Sequence, residues 1–554
     1  MVFSGLKRTE NLNKMEDQQL DLLVVGGGIT GAGIALDASS RGLQTGVIDM
    51  QDFAAGTSSR STKLVHGGLR YLKQFEVKLV AEVGKERAIV YENAPHVTQP
   101  EWMLLPIYKE GTFGKFSTSI GLKVYDFLAK VRRHERRTML SREETLEKEP
   151  MLKKEGLQGG GYYVEYRTDD ARLTIEVMKG AVSRGVTAVN YTKAEDLLYD
   201  DKGKLVGVKA VDLLTNETYK IYAKKVVNAT GPWVDDLREI DHSKKGKYLH
   251  LTKGIHIVID GGRFPMDQAI YFDTTNGDGR MIFAIPREGK VYIGTTDTTY
   301  KDEPVNPRMT STDRDYLLEA INGMFPTMKL TAEDVESSWA GVRPLIHEEG
   351  KSPSEISRKD EIFVSNSNLI TIAGGKLTGY RKMAERVVDL VSQQLHEEDG
   401  REFGRCMTDI IKLSGGDVGG SGHFEDFIGE MVKKGVHEGF SDEEAKAIAE
   451  KYGSNAEWIF DIAKDNKDTA KRYGLPADIL ATVIYGIENE MVVTPVDYFT
   501  RRRGATLFHI QWVKTWKEAV IRYMSDRFGW SDEQRAGYIE ELELALTEAV
   551  TPVE

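Results

Sequence analysis

The run Gly26-Gly27-Gly28-Ile29-Thr30-Gly31 limits what this chain can fold into more than any other feature. It follows the apolar stretch Asp21-Leu22-Leu23-Val24-Val25, which reads as a buried parallel strand. It opens a segment, 28–41, in which Ala32, Ile34, Ala35 and Ala38 recur at helical spacing. Gly46-Val47-Ile48-Asp49 then reads as a second strand, so the ordered chain begins with a β-α-β unit. In such a unit Gly26 permits the tight turn out of the strand. Gly28 lets the backbone come up against a pyrophosphate, and Gly31 allows helix to pack on strand. The helix N-terminus, with its unpaired N–H groups, then faces the anion. Asp49 lies 18 residues past Gly31 at the end of the second strand, where a carboxylate takes a ribose hydroxyl. Together these features specify a dinucleotide site without choosing between NAD and FAD.

The chain has 554 residues, 40% hydrophobic and 29% charged, enough for about three or four domains, or two large ones, with a sizeable core. Its longest stretch free of Asp, Glu, Lys and Arg is the 15-residue Leu22–Leu36, rich in glycine. A membrane-spanning helix needs ~20 apolar residues, so none is expected. No apolar signal-peptide core precedes it. The single cysteine, Cys406, can form neither an internal disulfide nor a cysteine metal cage. Cytoplasmic residence and no metal site are the expectation. Of the net charge of −12, −9 falls from Arg401 onward, leaving the first 400 residues near neutral. No nucleic-acid partner is expected, because phosphate contact needs a basic face.

Residues 1–19 read as a loose polar arm. A helix is expected over 76–93, and strands over Val186–Val189, Leu205–Val211 and Tyr219–Ala229. Between His250 and Thr296 apolar and polar residues alternate, as in an antiparallel sheet. Val226-Val227-Asn228-Ala229-Thr230-Gly231 and Ile372-Ala373-Gly374-Gly375-Lys376-Leu377-Thr378 are two further strand ends in small residues. Glycine-bearing strand ends some 340 residues apart suit a long dinucleotide held along its length. After Gly415–Gly422 the chain turns helical and acidic.

These motifs, with Thr57-Ser58-Ser59-Arg60-Ser61-Thr62-Lys63-Leu64-Val65-His66-Gly67-Gly68-Leu69-Arg70-Tyr71, Asn228–Trp233 and Gly341-Val342-Arg343-Pro344-Leu345, closely resemble the FAD-dependent glycerol-3-phosphate dehydrogenases. The resemblance covers residues 18–395 in family order, followed by a C-terminal domain of the expected kind. It implies an α/β architecture. A glutathione-reductase-type, Rossmann-like FAD domain would span 18–92, 155–245 and 335–398. A mixed or antiparallel substrate (cap) domain would span 93–154 and 246–334, and a helical domain 399–554. Asp49 stands where many members carry Glu, a shorter reach to the same ribose contact. No insertion of tens of residues separates Gly341–Leu345 from Gly374–Thr378, which by analogy favours a dehydrogenase over the related oxidases.

The implied reaction is oxidation of sn-glycerol 3-phosphate to dihydroxyacetone phosphate by hydride transfer from C2 to FAD, with electrons passed to a membrane quinone. That chemistry needs cationic groups for the phosphate, a base for the C2 hydroxyl and the flavin as acceptor. Arg70, Arg343 and Lys376 are the expected substrate cations, Arg343 also steadying a developing alkoxide, and Tyr71 is placed in the pocket. His66 and His256 are the two candidate bases, with no choice between them. Expected cofactor contacts are Gly26, Gly28, Gly31, Asp49, Thr57, Ser58, Ser59, Ser61, Lys63, Gly231, Gly374, Gly375, Lys376, Leu377 and Thr378. Trp233 reads as core.

Residues 114–137 carry seven Lys and Arg against Asp126 and Glu135, interleaved with Phe116, Ile120, Leu122, Tyr125 and Phe127. A helix with one basic and one apolar face can lie on an anionic membrane. Arg501-Arg502-Arg503, leading into Leu507–Trp512, is expected to extend that contact. The resemblance thus implies a flavoprotein of glycerol metabolism, peripheral at the inner face of the cell membrane, with a homodimer as one allowed assembly. Two rival functions fit the same residues. One is a glycerol-3-phosphate oxidase that forms H2O2 from O2, and the other is a non-catalytic flavin-binding regulator.

Overall fold

The computed structural model describes residues 3–65, 77–111, 136–275, 277–349 and 359–554, with backbone alone for 77–80. His66, Arg70, Tyr71 and, apart from Arg136 and Arg137, the basic segment 114–137 lie outside the described residues.

Every residue of strand Leu20–Val25 is buried, as the unbroken apolar run requires of a strand covered on both faces. It is central to a sheet in which Thr187–Val189, Thr45–Ile48, Leu20–Val25, Thr218–Asn228 and Ile370–Ala373 run parallel in that order. Glu361–Val364 closes the edge antiparallel. Helix Ile29–Ser40 leaves the first strand through the glycine turn and packs between helices Asp170–Val182 and Tyr380–Asp399. Strands Thr192–Tyr199 and Leu205–Asp212 continue from Thr218–Asn228 as an antiparallel meander.

The expected loose N-terminal arm is instead ordered. Arg8–Glu16 is a helix whose Leu12 and Met15 are wholly buried against the second face of the parallel sheet. Its polar composition hides a narrow apolar stripe. Arg8 pins it, donating to the Asp212 carboxylate at 2.7 and 3.1 Å and to Asn190 O at 2.6 Å. Phe3 packs against Phe53.

The second sheet takes in the antiparallel segment expected from 250 to 296. Lys247–Asp260, Lys290–Gly294, Met281–Arg287 and Ala269–Asp273 are antiparallel neighbours. Ala269–Asp273 then runs parallel to Thr98–Tyr108, which makes the sheet mixed. Leu157–Thr168 pairs along Thr98–Tyr108, and Val335–Glu348 along Lys247–Asp260. These two strands fall in ranges expected to belong with the FAD fold, yet they hydrogen-bond in the second sheet. Each carries the chain between the two sheets. Helix Ser311–Met324 covers the sheet's apolar face.

From Phe424 onward the chain is helical, with two apolar cores of its own. The arginine run 501–503 corrects an expectation. Arg501 and Arg502 are 8% and 1% exposed and pair with the buried carboxylates Asp52 and Asp497. Asp52 lies 449 residues from Arg501, so the run expected to extend a membrane contact instead ties the C-terminal region to the loop after the glycine turn. Phe508 is also buried, edge-on to Trp339 and Tyr292.

Candidate active site

The glycine turn has the backbone its sequence requires. Gly26 sits at φ +112°, and a Cβ there would come within 2.4 Å of Ala229 O. A Cβ on Gly31 would meet Gly26 O at 1.8 Å, so only glycine lets the helix lie this close to the strand end. Gly28 caps helix Ile29–Ser40, whose first N–H, on Ile29, donates to Ser58 Oγ at 2.9 Å. Asp49 accepts the Gly27 N–H at 2.6 Å and the Gln51 N–H at 2.8 Å. Burial pushes its carboxyl up to about 7 against the pull of those two donors, leaving an acid suited to a hydroxyl partner.

Gly26, Gly28 and Asp49 line one end of a cavity of about 760 Å³, towards the upper end of the ~300–1,000 Å³ usual for ligand sites. From there the wall runs past Thr57, Ser58 and Ser61 and past Gly231. It ends at the second sheet with His256, Arg343 and the turn Gly374–Thr378. The expected contacts Gly374, Gly375, Lys376, Leu377 and Thr378 all line it. The shape and donor set fit an extended dinucleotide whose far end reaches the second sheet.

Three expected contacts do different work. Gly31 does not line the cavity and packs on Gly26. Lys63 is buried, its Nζ donating to Ser59 O at 2.9 Å and to Asp170 Oδ1 at 2.7 Å, and neither Lys63 nor Ser59 lines the cavity. Asp170 also accepts from Ser61 Oγ at 2.7 Å and Ser61 N at 3.0 Å. The pair therefore braces the segment that Thr57, Ser58 and Ser61 present to the cavity. Thr57 Oγ1 ties that segment to Val342 O at 2.7 Å.

At the second-sheet end His256 is 1% exposed, its Nε2 3.1 Å from Thr62 Oγ1. Burial, with Arg343 and then Lys63 nearby, holds the imidazole well below its ordinary range, so it is neutral at working pH. A Cβ on Gly294, directly opposite in register, would fall 2.1 Å from His256 Cδ2. Arg343 projects from the strand alongside. It donates to Thr295 Oγ1 at 3.1 Å, and to Thr296 O and Asp297 Oδ1 at 3.3 Å. Lys376 precedes the single turn Leu377–Gly379.

The wall also includes residues that the motif reading did not select. Arg60 lies inside the Thr57–Lys63 motif, and burial lowers its guanidinium to about 10. Arg280 opens strand Met281–Arg287 and donates to Asp297 O at 3.2 Å, which links it through Asp297 to Arg343. For the first, its place inside that motif is the available signal. Nothing local marks the second. Trp233, expected as core, is half-buried and lines the cavity beside Gly56.

Residues 21–381 match the family described as FAD dependent oxidoreductase, and residues 406–535 match the C-terminal domain of alpha-glycerophosphate oxidase. The aerobic glycerol-3-phosphate dehydrogenase of Bacillus subtilis is 62% identical, the match covering 100% of this chain and 99% of that one. The enzyme of the same name from Staphylococcus aureus is 57% identical, covering 99% and 98%. The glycerol-3-phosphate dehydrogenase of Bacillus halodurans, solved with FAD, superposes with a TM-score of 0.87 at 55% identity, covering 100% of this chain and 99% of that one. The FAD-bound L-alpha-glycerophosphate oxidase of Mycoplasma pneumoniae has a TM-score of 0.55 at 18% identity and covers 70% of this chain and 97% of its own, a likeness of fold. With a glycine turn, the acid Asp49 beside it and a cavity that fit the cofactor, and with relatives this similar along their whole length, the chain belongs to the FAD-dependent aerobic glycerol-3-phosphate dehydrogenase family.

Proposed function

We propose that this protein oxidises sn-glycerol 3-phosphate to dihydroxyacetone phosphate and passes the electrons to a membrane quinone. One observation carries the reading. A single cavity runs from Gly26, Gly28 and Asp49 to a cationic, histidine-bearing end formed by Arg343, Lys376 and His256. FAD, when bound, supplies the hydride acceptor. Arg343 and Lys376, joined by Arg70, hold the substrate phosphate and hydroxyls, the guanidinium matching two oxygens at once. Neutral His256 takes the C2 hydroxyl proton, and Arg343 beside it steadies the oxygen as charge develops. Asp297 and Thr295 keep the Arg343 fork from swinging away. The division into FAD part, cap part and helical C-terminal part belongs to the same reading, with Leu157–Thr168 and Val335–Glu348 as the strands shared across the cavity.

Anaerobic addition of glycerol 3-phosphate should bleach the flavin absorbance of the holoenzyme. An unchanged spectrum removes the dehydrogenase reading and leaves a flavin-binding regulator. Faster reduction of a soluble quinone analogue than of O2 is the expected result for electron transfer to quinone, and H2O2 as the main product points to an oxidase.

The basic, apolar segment 114–137 supports a peripheral contact with the inner face of the cell membrane. Co-flotation with anionic vesicles, and none with neutral ones, is the expected outcome; protein left in the soluble fraction rejects it.

A further inference from the structure

The loop that follows Asp49 is held from outside its own domain. Asp52 is 1% exposed and does not line the cavity. Its Oδ2 accepts from Arg501 Nε and from Arg502 Nη1, the latter at 2.7 Å. Its Oδ1 accepts from Arg502 Nη2 at 2.9 Å and from Asn190 Nδ2 at 3.1 Å. Both arginines come from a single π-helical turn, Asp497–Arg502, in the C-terminal region. Each is anchored there in turn: Arg501 on Asp497 Oδ1 at 2.7 Å, Arg502 on Glu490 O at 2.6 Å.

The other side of this loop touches the glycine turn. Asp49 Oδ2 accepts the Gly27 N–H, and Ala54 N donates to Gly27 O at 3.2 Å. The Phe53 ring lies so close to Gly27 that a Cβ there would sit 2.3 Å from its Cδ1. Phe53 in turn meets Phe3, whose carbonyl accepts from Met491 N at 3.2 Å. Residues 49–56 are thus clamped between the glycine turn and the C-terminal region. The clamp grips the acid three residues beyond the one placed to hold the ribose.

We propose that Arg501 and Arg502 are positioning residues for the nucleotide end of the cofactor site, acting through Asp52 on the loop 49–56. The acidic helical region then does more than cover the catalytic half, since it sets the geometry in which Asp49 and the Gly27 amide meet the dinucleotide. The proposal rests on the reading that Gly26–Gly31 and Asp49 hold that end of FAD. A buried bidentate arginine–carboxylate pair suits the task, because its geometry is narrow and it has no water to substitute for a lost partner.

The test uses the full-length holoenzyme. Arg502→Lys keeps the charge and loses the fork, and Asp52→Asn keeps the shape and loses the charge. FAD release after dilution, followed by flavin fluorescence, gives the dissociation constant; melting temperature and kinetics at saturating FAD are read alongside. Both variants should bind FAD roughly tenfold more weakly, within the range of couplings between linked sites. Their KM for glycerol 3-phosphate at saturating FAD should stay within about twofold of wild type. Phe460→Leu, in the C-terminal core away from the loop, should lower the melting temperature without moving FAD affinity. If Arg502→Lys and Asp52→Asn melt earlier but hold FAD as wild type does, the bridge is mere interdomain support and the proposal falls. Asp49→Ala separates the two readings. Weakened FAD binding there, with none at Arg502 or Asp52, overturns only the bridge. No weakening at any of the three overturns the placement of the nucleotide end itself.

Discussion

His256 lies flat against Trp339, the ring centroids 4.7 Å apart and the planes within 11°, on strands that pair these two residues directly. Trp339 is fixed by its Nε1–H, which donates to Ser61 O at 3.1 Å. One indole therefore connects the position of the candidate base to the segment lining the cofactor cavity. His256→Ala should lower kcat by about 10²–10⁴, the usual worth of a general base, while flavin content stays at wild-type level. Turnover with an unchanged rate and pH profile rejects the assignment. Trp339→Leu should lose activity less steeply, because the imidazole keeps Thr62.

Arg343 tests the substrate end. Among the described residues it donates to Thr295 Oγ1, Thr296 O and Asp297, a carboxylate only partly buried, so turning toward an anion leaves no deeply buried charge behind. A hydrogen bond to a charged group is worth about 1.5–3 kcal/mol, which converts to roughly 10- to 150-fold in kcat/KM. Arg343→Gln should show a loss of that size, and Arg343→Lys most of it, since lysine offers no fork. Steady-state kinetics with glycerol 3-phosphate, and phosphate as a competitive inhibitor, are the check. An unchanged inhibition constant for phosphate assigns the anion elsewhere.

What could be read from residues alone was local. The strand–turn–helix around Gly26–Gly31 carries its reason in three glycines and a terminal acid, and so does the turn at Gly374–Gly375. Interactions between distant segments were illegible. Nothing within reach of Lys63 in sequence shows that it will be buried on Asp170, 107 residues away. Nothing near Arg501 shows Asp52, 449 residues away. In both places a charged residue in a motif or a basic run looked available for a ligand or a surface, and a buried partner had already claimed it. The N-terminal helix is hidden for a related reason: a nine-residue segment with two apolar anchors has too little periodicity to stand out.

Lys63 supplies a prediction that separates bracing from binding. Lys63→Met leaves Asp170 buried without its cation, and breaking such a pair costs about 3–5 kcal/mol. Chemical denaturation should register most of that loss. Ser61→Ala, which removes one of the other donors to Asp170, should cost about 1 kcal/mol. If Lys63→Met instead keeps its stability and loses only FAD affinity, Lys63 contacts the cofactor directly.

Gly31→Ala puts a methyl 1.8 Å from Gly26 O, and backbone cannot yield as a side chain does. The expected product is folded protein lacking flavin absorbance, or protein that fails to accumulate. Gly379→Ala, where a Cβ meets nothing within 4 Å, should keep its flavin and its rate. Flavin-to-protein absorbance ratios compare the two directly, and a Gly31→Ala enzyme with full flavin content would contradict the packing argument.

His96 gives the clearest pH signature. It is 5% exposed at the junction with the C-terminal region, and burial, with Arg172 and Lys179 nearby, lowers its imidazole to about 3. The unfolded chain protonates this ring near 6.5, so below that pH the unfolded state binds a proton that the folded state refuses. Stability from this group is therefore complete above about 6.5 and is lost as pH falls towards 3. At pH 5 the loss is about 2 kcal/mol. Asp49, Glu149 and Glu541, each raised to about 7, act with the opposite sign over the same range, so the wild-type curve alone does not isolate it. The measurement is the difference between wild type and His96→Leu in denaturation free energy at pH 7 and pH 5. The wild type should lose about 2 kcal/mol more than the variant on going to pH 5, whatever the variant's cost at pH 7. Equal changes would mean that the ring takes up its proton in the folded protein and that the junction around Gly415 and Gly453 opens to admit it.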